Sequence, residues 1–225
     1  MKYKLLTTHD TSADATMRIG TGDKPISGEI RWKRYKSFDE WSVDSLSSDE
    51  GELVVSIPVQ PPAGKVMYQV TLIDSMGNRH ALTDEPVVIR FKGPVPRVVL
   101  LPHVLLMFAA MLFSTRTGLE ALVNNPKGRN LAIQTTILLC AGGLIFGPIV
   151  QKYAFGAFWT GWPLGHDLTD TKTAFAVLFW VIALLRGRDR SRNRWWILLA
   201  AVVTLGIYLI PHSVLGSKID YTKLD

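Results

Sequence analysis

The chain contains a single cysteine, Cys140, among its 225 residues. One cysteine excludes a disulfide framework within the chain and any metal site built from several thiolates. The sequence also lacks the Gly-x-Ser-x-Gly, His-Glu-x-x-His and phosphate-loop patterns of serine hydrolases, zinc proteases and nucleotide-binding proteins. Enzymatic activity therefore stays open, and these absences favour a protein that is not an enzyme.

No apolar run of the signal-peptide kind occurs among the first residues, MKYKLLTTHDTSADA. If this part of the chain lies outside the cytoplasm, it is expected to cross the membrane as an N-terminal tail. The alternatives are a true start further upstream and an inverted topology. Three basic residues just before the first long apolar stretch, Arg90, Lys92 and Arg97, favour inversion.

Charge is distributed unevenly between the two halves of the chain. Residues 1–97 carry 13 basic and 13 acidic residues, whereas residues 98–225 carry 12 basic and 6 acidic residues. The net charge of +6 therefore lies in the half that is also the more apolar one. This combination is typical of membrane proteins, so nucleic acid is not predicted as a partner although the chain is basic.

Four apolar stretches predict a bundle of four transmembrane helices, because about 20 helical residues cross the hydrocarbon core of a bilayer. The second and fourth stretches are long enough alone, whereas the first and third need polar ends. The predicted spans are residues 98–115, 131–151, 169–186 and 195–215. The predicted domains are residues 1–95, residues 96–217 and a short tail at 218–225.

The loops between these stretches predict the orientation. The loop at residues 186–194 has five arginines and one aspartate, and the loop after the first stretch has a net charge of +2. The positive-inside rule places both in the cytoplasm, so the N-terminal domain and the C-terminus are expected outside, in a multi-pass protein of the cell inner membrane. The loop arginines can also contact anionic lipid head groups; they are Arg186, Arg188, Arg190, Arg192 and Arg194.

Residues 1–95 alternate apolar and polar side chains with a period of two, which predicts strands with one buried face. Turn-forming residues separate the strands, as in an antiparallel sandwich. The stretch KVMYQVTLIDSMGNRH, with its Tyr-x-Val and Asp-x-x-Gly features, resembles the late strand and turn of fibronectin type III and immunoglobulin-like modules. The resemblance implies an all-β sandwich and carries no function. The alternating residues are Ile30, Trp32 and Arg34, then Val66, Tyr68, Val70 and Leu72, then Val87, Ile89 and Phe91.

Two polar segments of this domain are candidate binding sites. The segment with His9, Asp10 and Asp14 could bind a metal, but a polar turn is the commoner role of such a sequence. The segment RWKRYK, residues 31–36, interleaves basic and aromatic residues as nucleic-acid-binding strands do. In a domain without net charge, we interpret it as a solvated basic strand, with an anionic lipid or glycan as a lesser alternative.

Polar residues collect at the predicted outer ends of the helices, where such residues are functional candidates. His103 and His212 follow prolines at similar depth and could ligate haem b or another metal ion, since imidazole is a common ligand. His166, Asp167 and Asp170 form a second candidate metal site. Their layout is only slightly similar to b561-type cytochromes, because histidines are not repeated at both membrane faces.

Two other interpretations of the same residues remain open. In one, the cluster is a pocket for a lipid, a quinone or a proton, with Asp170 and Lys172 as a pair. In the other it is structural: Trp159 and Trp162 form an interfacial belt, and the histidines make hydrogen bonds where the helices end. The stripe around Gly143-x-x-x-Gly147 predicts a close approach of another helix, and packing within the chain is favoured over a dimer interface.

As a whole, the chain resembles uncharacterised bacterial inner-membrane proteins that join a β-sandwich to about four transmembrane helices. The runs PVVIRFKGPVP, LLPHVLLMFAAMLFSTRTGLEAL and GPIVQKYAFGAFWTGWPLGHDLTDTKT carry the resemblance over most of residues 60–175. It implies no activity. The leading hypothesis is a non-enzymatic membrane protein whose outer β domain binds or positions a partner, either a membrane protein or a larger complex; the alternative is a haem- or metal-binding redox protein.

Overall fold

The computed structural model describes residues 2–22, 24–123, 128–165, 167–186, 190–210, 219 and 221–223, and these form two compact units. The β unit comprises Met1–Pro94 together with Lys218–Asp225, and the helical unit comprises Val95–Ser217. The tail, which the sequence suggested as a separate short segment, is thus grouped with the β unit.

The β unit contains two sheets. One has the strand order β1-β3-β7-β6, and the other has the order β2-β10-β8-β4-β5, with β9 paired to β8. The strands are β1 Lys2–Tyr3, β2 Thr8–Asp10, β3 Ala15–Gly20, β4 Ser27–Arg34, β5 Ser42–Ser45, β6 Ser47–Asp49, β7 Glu52–Ile57, β8 Lys65–Ile73, β9 Arg79–Ala81 and β10 Val87–Lys92.

The period-two pattern explains why one face of each main strand is buried. In β3 the buried and exposed side chains alternate strictly, and β7 pairs with it antiparallel from Ala15 opposite Ile57 to Gly20 opposite Glu52. In β8 the side chain of Tyr68 is fully buried and its hydroxyl donates to the Leu6 carbonyl at 2.9 Å. Burial raises the pKa of Tyr68 to about 12, because the phenolate would lose its hydration.

The register fixes which turns share an end of the larger sheet. Arg34, the last residue of β4, lies opposite Val66, and Arg90 near the end of β10 lies opposite Lys65. The end of β4, the beginning of β8 and the end of β10 therefore lie at the same end of the sheet. At the opposite end Asp74 closes a tight turn by accepting from the backbone N–H of Met76 and Asn78.

The helical unit contains three helical segments that are long and apolar enough to cross a membrane: Arg97–Leu122, Gly128–Phe155 and Leu168–Leu185. A fourth apolar helical stretch, Arg194–Leu209, is shorter. A β-sheet region followed by helices, three of which could span a membrane, agrees with the sequence prediction. The helices are α1 Arg97–Leu122, α2 Gly128–Leu139, α3 Gly147–Phe155, α4 Leu168–Leu185 and α5 Arg190–Leu209, with a π-helical segment Cys140–Phe146 between α2 and α3.

Helix α1 continues past residue 115, where the sequence suggested that the span ends. Ser114, Thr117 and Gly118, which lie at and just beyond this predicted end, are buried between helices. The Thr117 hydroxyl lies 3.2 Å from that of Thr135 on α2, and a Cβ at position 118 would lie 2.9 Å from the Cβ of Ala201 on α5. Small and hydroxylated residues here permit close packing, as is common within membrane bundles.

The second span contains a π-helical segment in its middle. A Cβ at Gly142 would lie 3.0 Å from the Leu106 Cβ of α1, and a Cβ at Gly143 would lie 2.5 Å from Thr173 Cγ2 of α4. Neighbouring helices within the chain therefore approach this segment where it has no side chains. The glycines pack inside the chain, as the sequence interpretation favoured.

Candidate functional site

The strongest polar cluster of the helical unit lies at the start of α4, where the preceding loop folds back onto the first helical turn. Asp167 is the N-cap of α4: its Oδ1 accepts from the Thr169 backbone N–H at 2.7 Å. Its own N–H donates to the Thr160 carbonyl at 2.8 Å. A carboxylate is favoured here because it accepts from otherwise unpaired N–H groups and meets the positive end of the helix dipole.

Asp170 holds the same loop from the first turn of α4. Its Oδ2 accepts from the backbone N–H of Thr160 at 2.7 Å and of Gly161 at 3.1 Å. A Cβ at position 161 would lie 2.5 Å from the Asp170 Cβ, so only glycine allows the loop to approach this closely. The carboxylate is buried and bonded to two backbone donors, which offsets the cost of removing it from water.

The Thr160 hydroxyl lies at the centre of the cluster. Its Oγ1 accepts from Gln151 Nε2 at 2.6 Å and lies 3.3 Å from Asp167 Oδ2 and 3.4 Å from Asp170 Oδ2. A hydroxyl has one proton, so it donates to one of the two carboxylates at a time. The structure thus brings both predicted aspartates together around a residue that the sequence did not single out.

Lys172 has a different role from the one that the sequence suggested. It is buried, and its Nζ donates to the Ile210 carbonyl at 2.8 Å, just beyond the end of α5. Asp170 instead accepts from the loop, so the structure gives the two residues different partners. Residues two apart on a helix point to different faces, which explains why they do not form the suggested pair.

His103 lies on α1 and contacts the π-helical segment. Its Nδ1 lies 2.9 Å from the Gly142 carbonyl oxygen. The other two predicted histidine ligands, His166 and His212, lie outside the described residues. Within the described part of the chain, no group of three or more His, Cys, Asp or Glu side chains is arranged to hold a metal ion.

The arginine loop is described in part. The Arg186 guanidinium lies 5.4 Å from the Trp196 ring centroid, and that of Arg194 lies 4.9 Å from the Trp195 centroid. Arg188 and the side chains of Arg190 and Arg192 lie outside the described residues. The two described arginines thus stack on aromatic rings at the helix ends, as is common at a membrane interface.

The two polar segments of the β unit take part in local structure. Asp10 accepts from the Ser12 backbone N–H at 2.8 Å, and Asp14 accepts from the Val59 N–H at 2.9 Å. His9 Nδ1 lies 2.8 Å from the Asp10 carbonyl oxygen. These contacts form a polar turn, the commoner of the two roles considered for this segment. Residues 31–36 occupy the second half of β4 and the turn that follows it.

Thr160 and Gly161 are the members of the polar cluster that sequence analysis missed. Their contacts with Asp170 join residues about ten positions apart across an irregular loop, and no periodic pattern predicts such a fold. The one available signal is the glycine itself, since an isolated glycine between bulky residues often marks close backbone approach.

Comparison with known proteins gives no family: no protein-family model matches the chain, and no curated protein is significantly similar to it. The cluster around Thr160, the His103 contact and the surface of the β unit are therefore the features from which a function can be proposed.

Proposed function

We propose that the chain is a four-span protein of the cell inner membrane whose β unit lies outside the cytoplasm and binds or positions a partner without catalysing a reaction. The proposal agrees with the resemblance to bacterial inner-membrane proteins of this layout. The observation that carries it is that the helical unit is connected to the β unit at both of its ends.

The tail packs onto the rest of the β unit through Ile219 and Tyr221. The Ile219 N–H donates to the Ala63 carbonyl at 3.3 Å, and the Tyr221 hydroxyl lies 3.2 Å from Gln60 Oε1. The ring of Tyr221, only 3% exposed, lies beneath the Arg34 guanidinium. A chain that leaves a folded unit and returns to it crosses the membrane an even number of times. With three long apolar helices, an even number supports a fourth span, for which α5 is the candidate.

The strand order supports an immunoglobulin-like sandwich. In such domains strands A, B, E and D form one sheet, and strands C, F and G form the core of the other. The order β1-β3-β7-β6 corresponds to A-B-E-D, and β10-β8-β4 corresponds to G-F-C, with β5 as an additional strand beside β4. This architecture commonly serves in binding, although the fold alone assigns no partner.

Strand β5 offers the surface through which the β unit would bind. It is the last strand in its sheet's pairing order, and all four of its residues are exposed. Val43 is 61% exposed although it is apolar. An exposed edge strand can pair with an added strand of a partner through main-chain hydrogen bonds. We therefore propose an extended segment of another membrane or envelope protein as the partner.

The polar cluster supports a role that is not enzymatic. Asp167 and Asp170 are buried and accept hydrogen bonds from backbone N–H groups of their own loop and helix. Such carboxylates stabilise a loop at the end of a span. We propose that they hold the loop of residues 156–167 against α4.

Cysteine accessibility tests the topology. In a Cys140→Ala background, we expect Met76→Cys in the β unit to react with a membrane-impermeant maleimide applied outside intact spheroplasts. We expect Ser191→Cys in the arginine loop to react only after permeabilisation. The four-span arrangement places three spans between residues 76 and 191, so the two cysteines should lie on opposite sides of the membrane. Reaction of both from the same side would contradict that arrangement.

Site-specific photo-crosslinking tests the binding role. A photo-reactive residue at Val43 is expected to give discrete adducts in cells, whereas one at Val59, an apolar residue 41% exposed in a loop of the β unit, serves as the matched control. Adducts that are equally abundant at both positions, or that are lacking at Val43, would contradict partner binding at β5.

A second function is favoured by one contact of His103. A carbonyl oxygen only accepts, so the bond to Gly142 places the ring proton on Nδ1 and leaves the Nε2 lone pair available. Histidines that ligate metals commonly use this arrangement, in which Nδ1–H bonds to a carbonyl. His103 is therefore the residue that would hold haem b or a metal ion in the alternative redox function.

An optical spectrum and metal analysis of purified protein distinguish the two functions. The redox function requires a Soret band or a bound metal that is lost in His103→Ala and retained in His80→Ala, a control in the β unit. Purified protein with neither chromophore nor metal would leave the binding function as the remaining proposal.

A further inference from the structure

We infer that the turn between β4 and β5, residues 35–41, docks on the anionic phospholipid head groups of the bilayer that holds the helical unit. We call residues 35–41 the docking turn. The inference goes beyond partner binding at β5, and it holds on either side of the membrane because it depends only on which end of the sheet faces the lipid.

An apolar side chain is presented at the tip of the docking turn. Phe38 is 80% exposed. The residues on both sides of it are held in place: the Ser37 hydroxyl donates to the Arg34 carbonyl at 2.7 Å, and Asp39 accepts two hydrogen bonds from the Arg34 guanidinium, each 2.7 Å long. An exposed phenylalanine on a fixed turn is suited to insertion among lipid head groups, where aromatic side chains are enriched.

Basic residues surround this tip. Arg34 and Asp39 neutralise each other, so they add no net charge. Two acidic residues, Glu40 and Asp10, lie at the same end of the sheet, Asp10 opposite Lys92 in the register. They are outnumbered by basic residues at this end, which are Lys33, Lys36, Lys65 and Lys92. The surplus positive charge is complementary to anionic phospholipids.

Aromatic rings accompany these cations. The Nζ of Lys33 and the guanidinium of Arg31 lie 5.4 Å and 5.1 Å from the Trp41 ring centroid, and Lys65 Nζ lies 5.7 Å from that of Tyr35. A cation over the face of an aromatic ring is attracted by the ring quadrupole, which orders both side chains. The docking turn therefore combines the two residue types that are enriched where proteins meet a membrane surface.

The chain leaves the β unit for α1 from this end of the sheet. The end of β10 shares it with the docking turn, and only residues 93–96 separate β10 from α1. Four residues span about 14 Å at most. The tail also packs at this end, beside Arg34 and Ala63. Both connections to the helical unit thus leave the β unit beside the docking turn.

Depth-dependent quenching in nanodiscs tests the inference with the full chain. In a Cys140→Ala background, Phe38→Cys carries an environment-sensitive fluorophore, and Met76→Cys is the matched control because it is an apolar turn residue, 83% exposed, at the opposite end of the sheet. In discs with 30% phosphatidylglycerol, lipids spin-labelled near the head group are expected to quench the label at residue 38 at least twofold more than the label at residue 76.

Two further comparisons keep the test decisive. The triple variant Lys33→Gln, Lys36→Gln, Lys65→Gln is expected to halve the additional quenching at residue 38, and discs of phosphatidylcholine alone are expected to do the same. Equal quenching at residues 38 and 76 would overturn the docking. Quenching at residue 38 that is the same in both lipid compositions would overturn the assignment to anionic head groups. Neither result bears on photo-crosslinking at Val43, so failure here is distinguishable from failure of partner binding.

Discussion

The Arg34 guanidinium lies 4.8 Å from the centroid of the Tyr221 ring, and the same guanidinium forms two hydrogen bonds with Asp39. One side chain at the end of β4 therefore holds both the docking turn and the last described residues of the chain. Burial raises the pKa of Tyr221, so its hydroxyl stays protonated and can donate to Gln60. The tail and the docking turn are thus parts of one local structure.

Removing the Tyr221 ring tests whether the tail stabilises the β unit. Tyr221→Ala is expected to lower the free energy of unfolding of the β unit by about 3 kcal/mol, since a buried aromatic ring is lost. Tyr221→Phe keeps the ring, loses the hydrogen bonds of the hydroxyl, including that to Gln60, and is expected to cost about 1 kcal/mol. Thermal unfolding of the full chain in detergent, followed by the β-sheet infrared band, measures both. Equal stability of all three proteins would contradict the packing of the tail.

The ion pair between Arg34 and Asp39 predicts a dependence of stability on pH. The hydrogen bonds from Arg34 lower the pKa of Asp39 to about 2, below the usual value of about 3.9. The pair therefore contributes above about pH 4, and the contribution is lost as the pH falls from about 4 to about 2. Because the side chains are 36% and 28% exposed, the expected loss is about 1 kcal/mol or less.

Asp39→Asn isolates this contribution. The variant is expected to show a smaller decrease in the melting temperature of the β-sheet band between pH 5 and pH 2.5 than the unmodified chain does. Asp74 also has a pKa lowered to about 2, by hydrogen bonds from Asn78, so part of the dependence should persist in the variant. The same pH slope in both proteins would show that the Arg34 pair contributes nothing.

The parts of the fold that the sequence predicts are those with regular patterns. Alternation in β4, β8 and β10 and the long apolar stretches predict strands and spans, because each depends only on neighbouring residues. Strands β3 and β7 show the same alternation and could have been found by it, through Met17 and Ile19 in β3 and Val55 in β7.

Features that depend on distant residues could not be predicted in this way. The extension of α1 through Ser114 and Thr117 is stabilised by packing against other helices, which overrides the local signal of a helix end. The contacts of Thr160 with Asp167 and Asp170 require the loop to fold back. The packing of Tyr221 joins the tail to Arg34 and Gln60, which lie far away along the chain. The three-residue 3₁₀ turn that contains Tyr221 is also too short to show a periodic pattern.

A substitution at Gly143 tests the packing of the second span against α4. Gly143→Ala is expected to destabilise the helical unit by about 1–3 kcal/mol, since its Cβ would lie 2.5 Å from Thr173 Cγ2. The matched control is Gly206→Ala on α5, where a Cβ has no neighbour within 4 Å and the change should stabilise the helix by about 0.5–1 kcal/mol. Thermal unfolding in detergent, followed by helical circular dichroism, compares them. Destabilisation by both substitutions to the same extent would contradict the specific contact at Gly143.

The carboxylate of Asp170 is expected to hold the loop before α4. Asp170→Asn removes the negative charge and leaves one carbonyl oxygen for the N–H groups of Thr160 and Gly161. We expect the loop to open more often, so that hydrogen exchange over residues 157–166 becomes at least tenfold faster while exchange in α1 is unchanged. The control is Gln134→Glu on α2, away from this loop. It also replaces one polar side chain of the helical unit by another of similar size. Unchanged exchange in the loop would show that the carboxylate is dispensable.

A buried hydrogen bond between α4 and α5 provides a test of whether α5, the proposed fourth span, packs in the helix bundle. Trp180 Nε1 donates to Thr204 Oγ1 at 2.9 Å, and both residues are fully buried. Hydrogen bonds inside membrane bundles have coupling energies of about 0.6 kcal/mol on average, so Trp180→Phe, Thr204→Val and the double variant should show a coupling of about that size. Unfolding in a denaturing detergent measures the three free energies. If the two single substitutions change the free energy of unfolding by amounts that simply add in the double variant, α5 does not pack against α4 through this pair. The proposed four-span arrangement would then lose this support for its fourth span.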